Sequence, residues 1–270
     1  MSLTGTLTRT LTRTLNHDLA HDRRTTLADV RLGALLAFVA GATNAGGYLA
    51  VGQYTSHMTG MVSSVADFLV LGDVTLAMGA AVSVLMFLFG AMTSSLLVNW
   101  SRRRNLHSRF ALPLLLEALL LLVFGVMGAS VHLSMFAVPA TVALLCFIMG
   151  LQNAVITKIS NAVIRTTHLT GLITDLGIEL GKMVYINRTP GEDHVHADYA
   201  KLRVQALLIG SFVLGAGFGA VGFKAVGFSI TIALSVALVA VSWRPVLDDV
   251  RVWRRASRPR RAPGLRSHTA

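Results

Sequence analysis

Ala34-Leu-Leu-Ala-Phe-Val-Ala-Gly-Ala-Thr-Asn-Ala45 recurs 109 positions later as Ala143-Leu-Leu-Cys-Phe-Ile-Met-Gly-Leu-Gln-Asn-Ala154, ungapped and identical at seven of twelve positions. Behind each copy comes a second match, His57-Met58-Thr59-Gly60 and His168-Leu169-Thr170-Gly171. Each unit therefore reads as an apolar helix, a His-x-Thr-Gly turn and another apolar segment. Duplication of this kind in a membrane-embedded chain points to a transporter or a channel.

Composition sets the solvent. Of the 270 residues 53% are hydrophobic and 14% charged, with a mean hydropathy of +0.63, whereas ordinary soluble domains are about 25% charged. That length holds about six to eight spans of ~20 residues, hence one integral domain whose first partner is the lipid bilayer. The single cysteine, Cys146, lies inside an apolar run, which excludes a disulfide framework and a cysteine metal site. The net charge of +11 comes from Lys and Arg gathered beside the apolar runs. This is topology information, not a stripe for nucleic acid.

Eight apolar segments follow one another: A near 32 to 52, B near 57 to 72, C near 75 to 98, D near 111 to 131, E near 135 to 157, F near 168 to 187, G near 202 to 222 and H near 225 to 243. B is short and carries Asp67, and F carries Asp175, Glu179 and Lys182, so neither reads as an ordinary lipid-facing span. The positive-inside rule discriminates two topologies. Eight crossings with the N-terminus inside leave 17 basic residues in the cytoplasm and 7 outside. If B and F dip in and return, the inside segments 1 to 31, 99 to 110, 158 to 203 and 244 to 270 hold 23 and only Lys224 is outside.

The second count favours an all-α polytopic membrane protein of six crossings plus two re-entrant or broken half-helices. Segment A then runs outward and its copy E inward, so the repeats, about 32–131 and 135–243, are inverted. The half-helices enter from opposite faces, and their His-x-Thr-Gly turns approach each other near the midplane. A parallel repeat with B and F as full spans is the competing topology. The repeat extends to Phe87-Leu88-Phe89-Gly90-Ala91 in C and Phe212-Val213-Leu214-Gly215-Ala216 in G, at an offset of 125 that absorbs a polar insertion around Asn187 to Lys201. Gly79 and Gly90 in C, and Gly215, Gly217, Gly219 and Gly222 in G, read as faces for close helix packing.

Both ends read as cytoplasmic. In residues 1–31, Leu3, Leu7, Leu11, Leu15 and Leu19 lie four apart, which suits either a helix lying on anionic lipid or a disordered segment. The first apolar run lacks a convincing cleavage site and reads as a retained span. The Arg- and Pro-rich tail, 244–270, reads as a flexible basic end held near the membrane by charge.

Polar side chains in hydrocarbon need a reason to be there. One group is the paired set Asn44, Gln152 and Asn153 with the turns His57, Thr59, Gly60 and His168, Thr170, Gly171, read as a central solute site. Thr before Gly suits a helix N-cap. A helix that starts in mid-membrane presents unpaired amides and partial positive charge, which favours an anionic or zwitterionic solute. The alternative is that the asparagines only fasten neighbouring helices.

The other group is the acids Asp67, Glu117, Asp175 and Glu179, candidates for carrying a coupling proton, because a carboxyl in a low dielectric holds its proton more tightly. An ion pair between Glu179 and Lys182 is the structural alternative. Glu192, Asp193, His194, His196 and Asp198 in the insertion are a weak metal pattern and read as a solvated loop. No metal site and no cofactor is expected. Nucleophile elbow, zinc-protease, phosphate-loop and dinucleotide motifs are absent, so an enzyme is not expected.

Met149-Gly150-Leu151-Gln152-Asn153-Ala154, Arg165-Thr166-Thr167-His168-Leu169-Thr170-Gly171, Thr174-Asp175-Leu176-Gly177 and Met58-Thr59-Gly60 together resemble the YoaK family of bacterial inner-membrane proteins over about residues 30 to 243. The resemblance implies a polytopic inner-membrane protein whose domain has no known function. Three positions depart from the family pattern: Asn44 where Asp is usual, Met61 where Asn follows Thr-Gly, and His168 where Tyr is common. The expectation is a secondary transporter of a small anionic or zwitterionic solute, with room for a homo-oligomer. A channel of the same architecture and a non-transporting scaffold are the rivals.

Overall fold

The computed structural model describes residues 26–104, 106, 108, 110–129, 137–159, 169–186 and 194–256. These residues form helices and no strand: α1 Thr26–Val51, α2 Met58–Val70, α3 Val74–Arg103, α4 Ala111–Ala129, α5 Ala137–Ile159, α6 Leu169–Val184, α7 Tyr199–Val226 and, after a 3-10 turn at Gly227–Ser229, α8 Ile230–Ala256. Five stretches are long and apolar enough to cross a membrane: Val30–Val51, Val74–Arg103, Ala111–Ala129, Ala137–Lys158 and Tyr199–Trp243. The last contains both α7 and the first part of α8. The 3-10 turn that separates them begins at Gly227, whose φ of 61° lies in the left-handed region open to glycine.

The two short segments are short in space as well. α2 has 13 residues and α6 has 16, so at 1.5 Å per residue they reach ~20 and ~24 Å, less than a hydrocarbon core of ~30 Å. α2 stops where Gly72 adopts φ 78° and the amide of Asp73 bonds to the carbonyl of Phe68 at 2.9 Å, a glycine-terminated helix end. Asp73 then caps α3 by accepting from the amide of Leu76 at 3.0 Å. α2 and α3 thus form a tight hairpin. At the far end, α8 continues 13 residues beyond the boundary expected at 243, to Ala256.

The centre of the bundle is made of the duplicated sequence itself. Leu32, Leu36, Val39 and Ala42 of α1 and Leu145, Ile148, Met149 and Ile156 of α5 are fully buried. Both helices are apolar around most of their circumference, as a helix covered on all sides must be. The partners are exchanged between the halves: α1 packs mainly on α7, α5 mainly on α3, α4 on α8, and α1 touches α5.

Glycines set the closest approaches. A Cβ on Gly41 would meet the carbonyl oxygen of Phe212, and one on Gly215 that of Phe38. In the other crossing, a Cβ on Gly150 would meet the carbonyl oxygen of Phe87, and one on Gly90 that of Phe147. These contacts are the same under the offsets of 109 and 125 read from the sequence. Backbones approach this closely only where no side chain intervenes, so the first helix of each repeat is locked onto the third helix of the other.

Candidate functional site

One turn along α1 from the Gly41 crossing, Asn44 faces an open pocket of about 700 Å3. Its walls come from α1 (Gly41, Asn44, Tyr48), from the connection to α2 (Tyr54, Ser56, His57), from the first residues of α6 (Leu169, Thr170) and from α7 (Phe212, Ala216, Ala220). The crossing positions α7 against α1, and the starts of the two short helices α2 and α6 close the space from the side. Among the described residues no Asp, Glu, Lys or Arg lines it.

The polar groups are held by local bonds. The hydroxyl of Ser56 donates to Asn44 Oδ1 at 3.1 Å, which orients the amide and leaves its NH2 as a donor. Tyr48 and Tyr54 stack with ring centroids 4.8 Å apart and planes at 20°. His57 is the N-cap residue of α2, yet its side chain makes no capping bond. Its ring instead folds over the first turn, where a Cβ on Gly60 would strike it. The N-terminal end of α2 therefore keeps its partial positive charge free of a side-chain acceptor.

The expected Thr-Gly cap does not form in the first half. α2 begins at Met58, and Thr59 sits inside the first turn with its side chain exposed, because the glycine is used to accommodate the imidazole and not to end a cap. Thr59 and Gly60 do not line the pocket. In the second half Thr170 does line it, Gly171 is exposed with open space around it, and His168 lies outside the described residues.

Gln152 and Asn153 go elsewhere. Gln152 is fully buried and its Nε2 donates to Glu117 Oε1 at 2.7 Å and to the carbonyl of Leu36 at 3.2 Å. Asn153 is half-buried, and its Oδ1 has no hydrogen-bond partner among the described residues. The pocket thus brings together Asn44, His57 and Thr170, and adds Tyr48, Tyr54, Ser56 and Phe212. Phe212 belongs to the repeat as the match of Phe87, whereas Tyr48, Tyr54 and Ser56 escape a reading by repeats, since nothing in the second half matches the tyrosines; two tyrosines flanking the end of a span were the available sign.

The acids occupy three environments. Asp67 is exposed on α2, and Glu117 is fully buried in α4. Glu179 is buried at the α6–α7 contact, where it accepts from the amide of Asp198 at 2.9 Å and from Lys182 at 3.0 Å, with Lys201 at 3.8 Å. The Asp198 amide first, and then Lys182, hold its carboxyl below the usual range. Lys201 also reaches Asp175 at 3.6 Å. Asp198 caps α7 through bonds from the amides of Ala200 and Lys201, so this cluster pins α6 to the start of α7. His194 and His196 stack nearby at 5.8 Å. Among the described residues no three His, Cys, Asp or Glu converge as metal ligands; Glu192 and Asp193 lie outside them.

No curated protein and no solved structure matches this chain. The model of one protein family does, from residue 32 to residue 243, the stretch that holds both repeats and every wall of the pocket. On that match the chain belongs to the DUF1275 family, described as a protein of unknown function.

Proposed function

We propose that this protein is a secondary transporter of a small anionic or zwitterionic solute, with six crossings and two half-helices in an inverted repeat. In this reading it sits in a bacterial inner membrane with both termini cytoplasmic, carries no catalytic centre, and is placed with the YoaK-like members of its family on the motifs quoted above. One observation carries the solute site: the starts of both half-helices, at His57 and at Leu169–Thr170, line the same pocket as Asn44. Each helix start contributes roughly half a positive charge. Two of them beside an amide NH2 and an imidazole favour a carboxylate or phosphate-like group in a site that has no acid among its described residues. The tyrosine pair and Phe212 provide an apolar wall for the rest of a small molecule, and the volume falls in the usual range for such ligands.

The exchanged contacts support the inverted repeat. Both glycine-locked crossings join one half to the other, so the bodies that would rock are the pairs α1–α7 and α3–α5, which meet where α1 touches α5.

Purified protein in liposomes, challenged with a panel of labelled amino acids, dicarboxylates and phosphate, is the test. Saturable uptake is expected for at least one of them, with Asn44→Ala and Thr170→Ala each raising KM about tenfold, the effect of losing one hydrogen bond to a charged group. Linear, ohmic flux would make the protein a channel. No flux for any solute would leave a scaffold.

A further inference from the structure

Glu117 is fully buried on α4 and has no ionic partner among the described residues. The amide nitrogen of Gln152 serves it and the Leu36 carbonyl together, so one side chain of α5 ties α4 to α1. Two atoms of this arrangement are left over: Glu117 Oε2 and Gln152 Oε1 are both buried and both lack a hydrogen-bond partner among the described residues. Both belong to groups already joined at 2.7 Å, and as a carboxylate and an amide oxygen both are acceptors.

An ionised Glu117 would bury a charge against a single donor and leave two acceptors bare, the costliest form of the site. One proton on Oε2 removes all three penalties. It neutralises the carboxyl and supplies the donor that Gln152 Oε1 lacks, closing a two-bond ring between a carboxylic acid and a primary amide. The charged side chains described on the surrounding helices are Arg31 at the start of α1, Arg102 and Arg103 at the end of α3, Lys158 in the last turn of α5 and Asp249 on α8. None forms an ion pair with Glu117 among the described residues.

We infer that Glu117 and Gln152 form an internal proton-binding site whose occupancy clamps α1 to α4 and α5. Release of the proton from Oε2 to water leaves a carboxylate that needs a second donor. The Gln152 amide hydrogen now spent on the Leu36 carbonyl can serve as that donor, so deprotonation competes with the tie to α1. Leu36 lies about two turns from Asn44 on the same helix, which connects proton occupancy to the pocket wall. The use of this proton to drive solute rests on the transport reading; the site and the clamp do not.

The full chain in lipid nanodiscs tests both parts. Infrared spectra at neutral pH should contain the carbonyl stretch of a protonated carboxylic acid that vanishes on alkaline titration. Glu117→Gln, which keeps the size and the amide donor, should lack this band, and Asp67→Asn should retain it. In Gln152→Leu the band should move to higher frequency as its hydrogen bond is lost. Hydrogen exchange of the α1 amides, corrected for intrinsic rates, should accelerate at least tenfold when the band titrates, and should lose that pH dependence in Glu117→Gln. An unchanged infrared band in Glu117→Gln overturns the proton site, and equal α1 protection across the titration overturns the clamp. Failure of the liposome uptake assay would remove the transport reading and leave both of these results standing.

Discussion

Gly41 and Gly150 occupy matching places in the two repeats and do the same thing, each pressing against a phenylalanine carbonyl of the opposite half. The residues two positions on do not. Thr43 is buried and its hydroxyl has no partner among the described residues, whereas Gln152 bridges three helices through Leu36 and Glu117. Asn44 faces the open pocket and bonds Ser56, whereas the side-chain oxygen of Asn153 has no partner among the described residues. The duplicated helices have kept the contacts that set backbone distance and diverged in those that handle polar chemistry. Backbone approach is an all-or-none steric matter, while a polar group is kept by whatever donor or acceptor a neighbouring helix supplies.

The largest effects should fall on the shared feature. Gly41→Ala and Gly150→Ala each place a methyl group on a carbonyl oxygen and should destabilise the protein by about 1–3 kcal/mol, the cost of overpacking. Gly171→Ala, in open space, should change it by no more than about 0.5 kcal/mol. Unfolding titrations in mixed micelles would read this. Equal behaviour of all three would break the idea that the crossings hold the halves together.

The diverged pair should separate more sharply. Gln152→Leu removes the donor from a buried acid and a buried carbonyl and should cost about 1–3 kcal/mol. Thr43→Val removes a hydroxyl with no partner and should be neutral or slightly stabilising in the same titration. A similar penalty at both positions would mean that Thr43 has a partner of its own.

Asn44→Ala loses the bond from Ser56 and should cost about 1 kcal/mol, together with the loss of solute affinity stated above. Asn153→Ala should stay within about 0.5 kcal/mol and leave the fold's midpoint in place. The smallest change concerns the α6–α7 cluster. The folded-state affinity of Glu179 for a proton is depressed, so its stabilisation is complete above the ordinary carboxylate range and is lost as pH falls through the lowered value. Hydrogen exchange of α6 should therefore rise in acid below about pH 4, and Glu179→Gln should show that faster exchange already at neutral pH.

The contrast between Glu117 and Glu179 shows how far letters go. Both are acids in apolar segments and look alike in the sequence. Glu179 has Lys182 three residues on, so half of its environment is local and readable. The partners of Glu117 lie 35 and 81 positions away, in Gln152 and, through it, Leu36, and no pattern along the chain brings them together. The pocket divides in the same way. His57 and Thr170 stand out because their motif occurs twice, while Tyr54 and Ser56 reach the pocket through a turn whose shape local spacing does not dictate, facing Tyr48 at the end of α1.

Hydropathy and the twelve-residue duplication by themselves determined an all-helical membrane chain in two related halves with one short helix in each, because burial in lipid forces backbone bonds to close within each segment and length alone separates a span from a half-span. The exchange of partners between the halves, the turning of Gln152 toward Glu117 and the meeting of two helix starts at Asn44 were decided by tertiary packing. Helices that are apolar on every side carry no mark of which neighbour they will choose, and that choice is made by where a glycine lets the carbonyl of another helix come close.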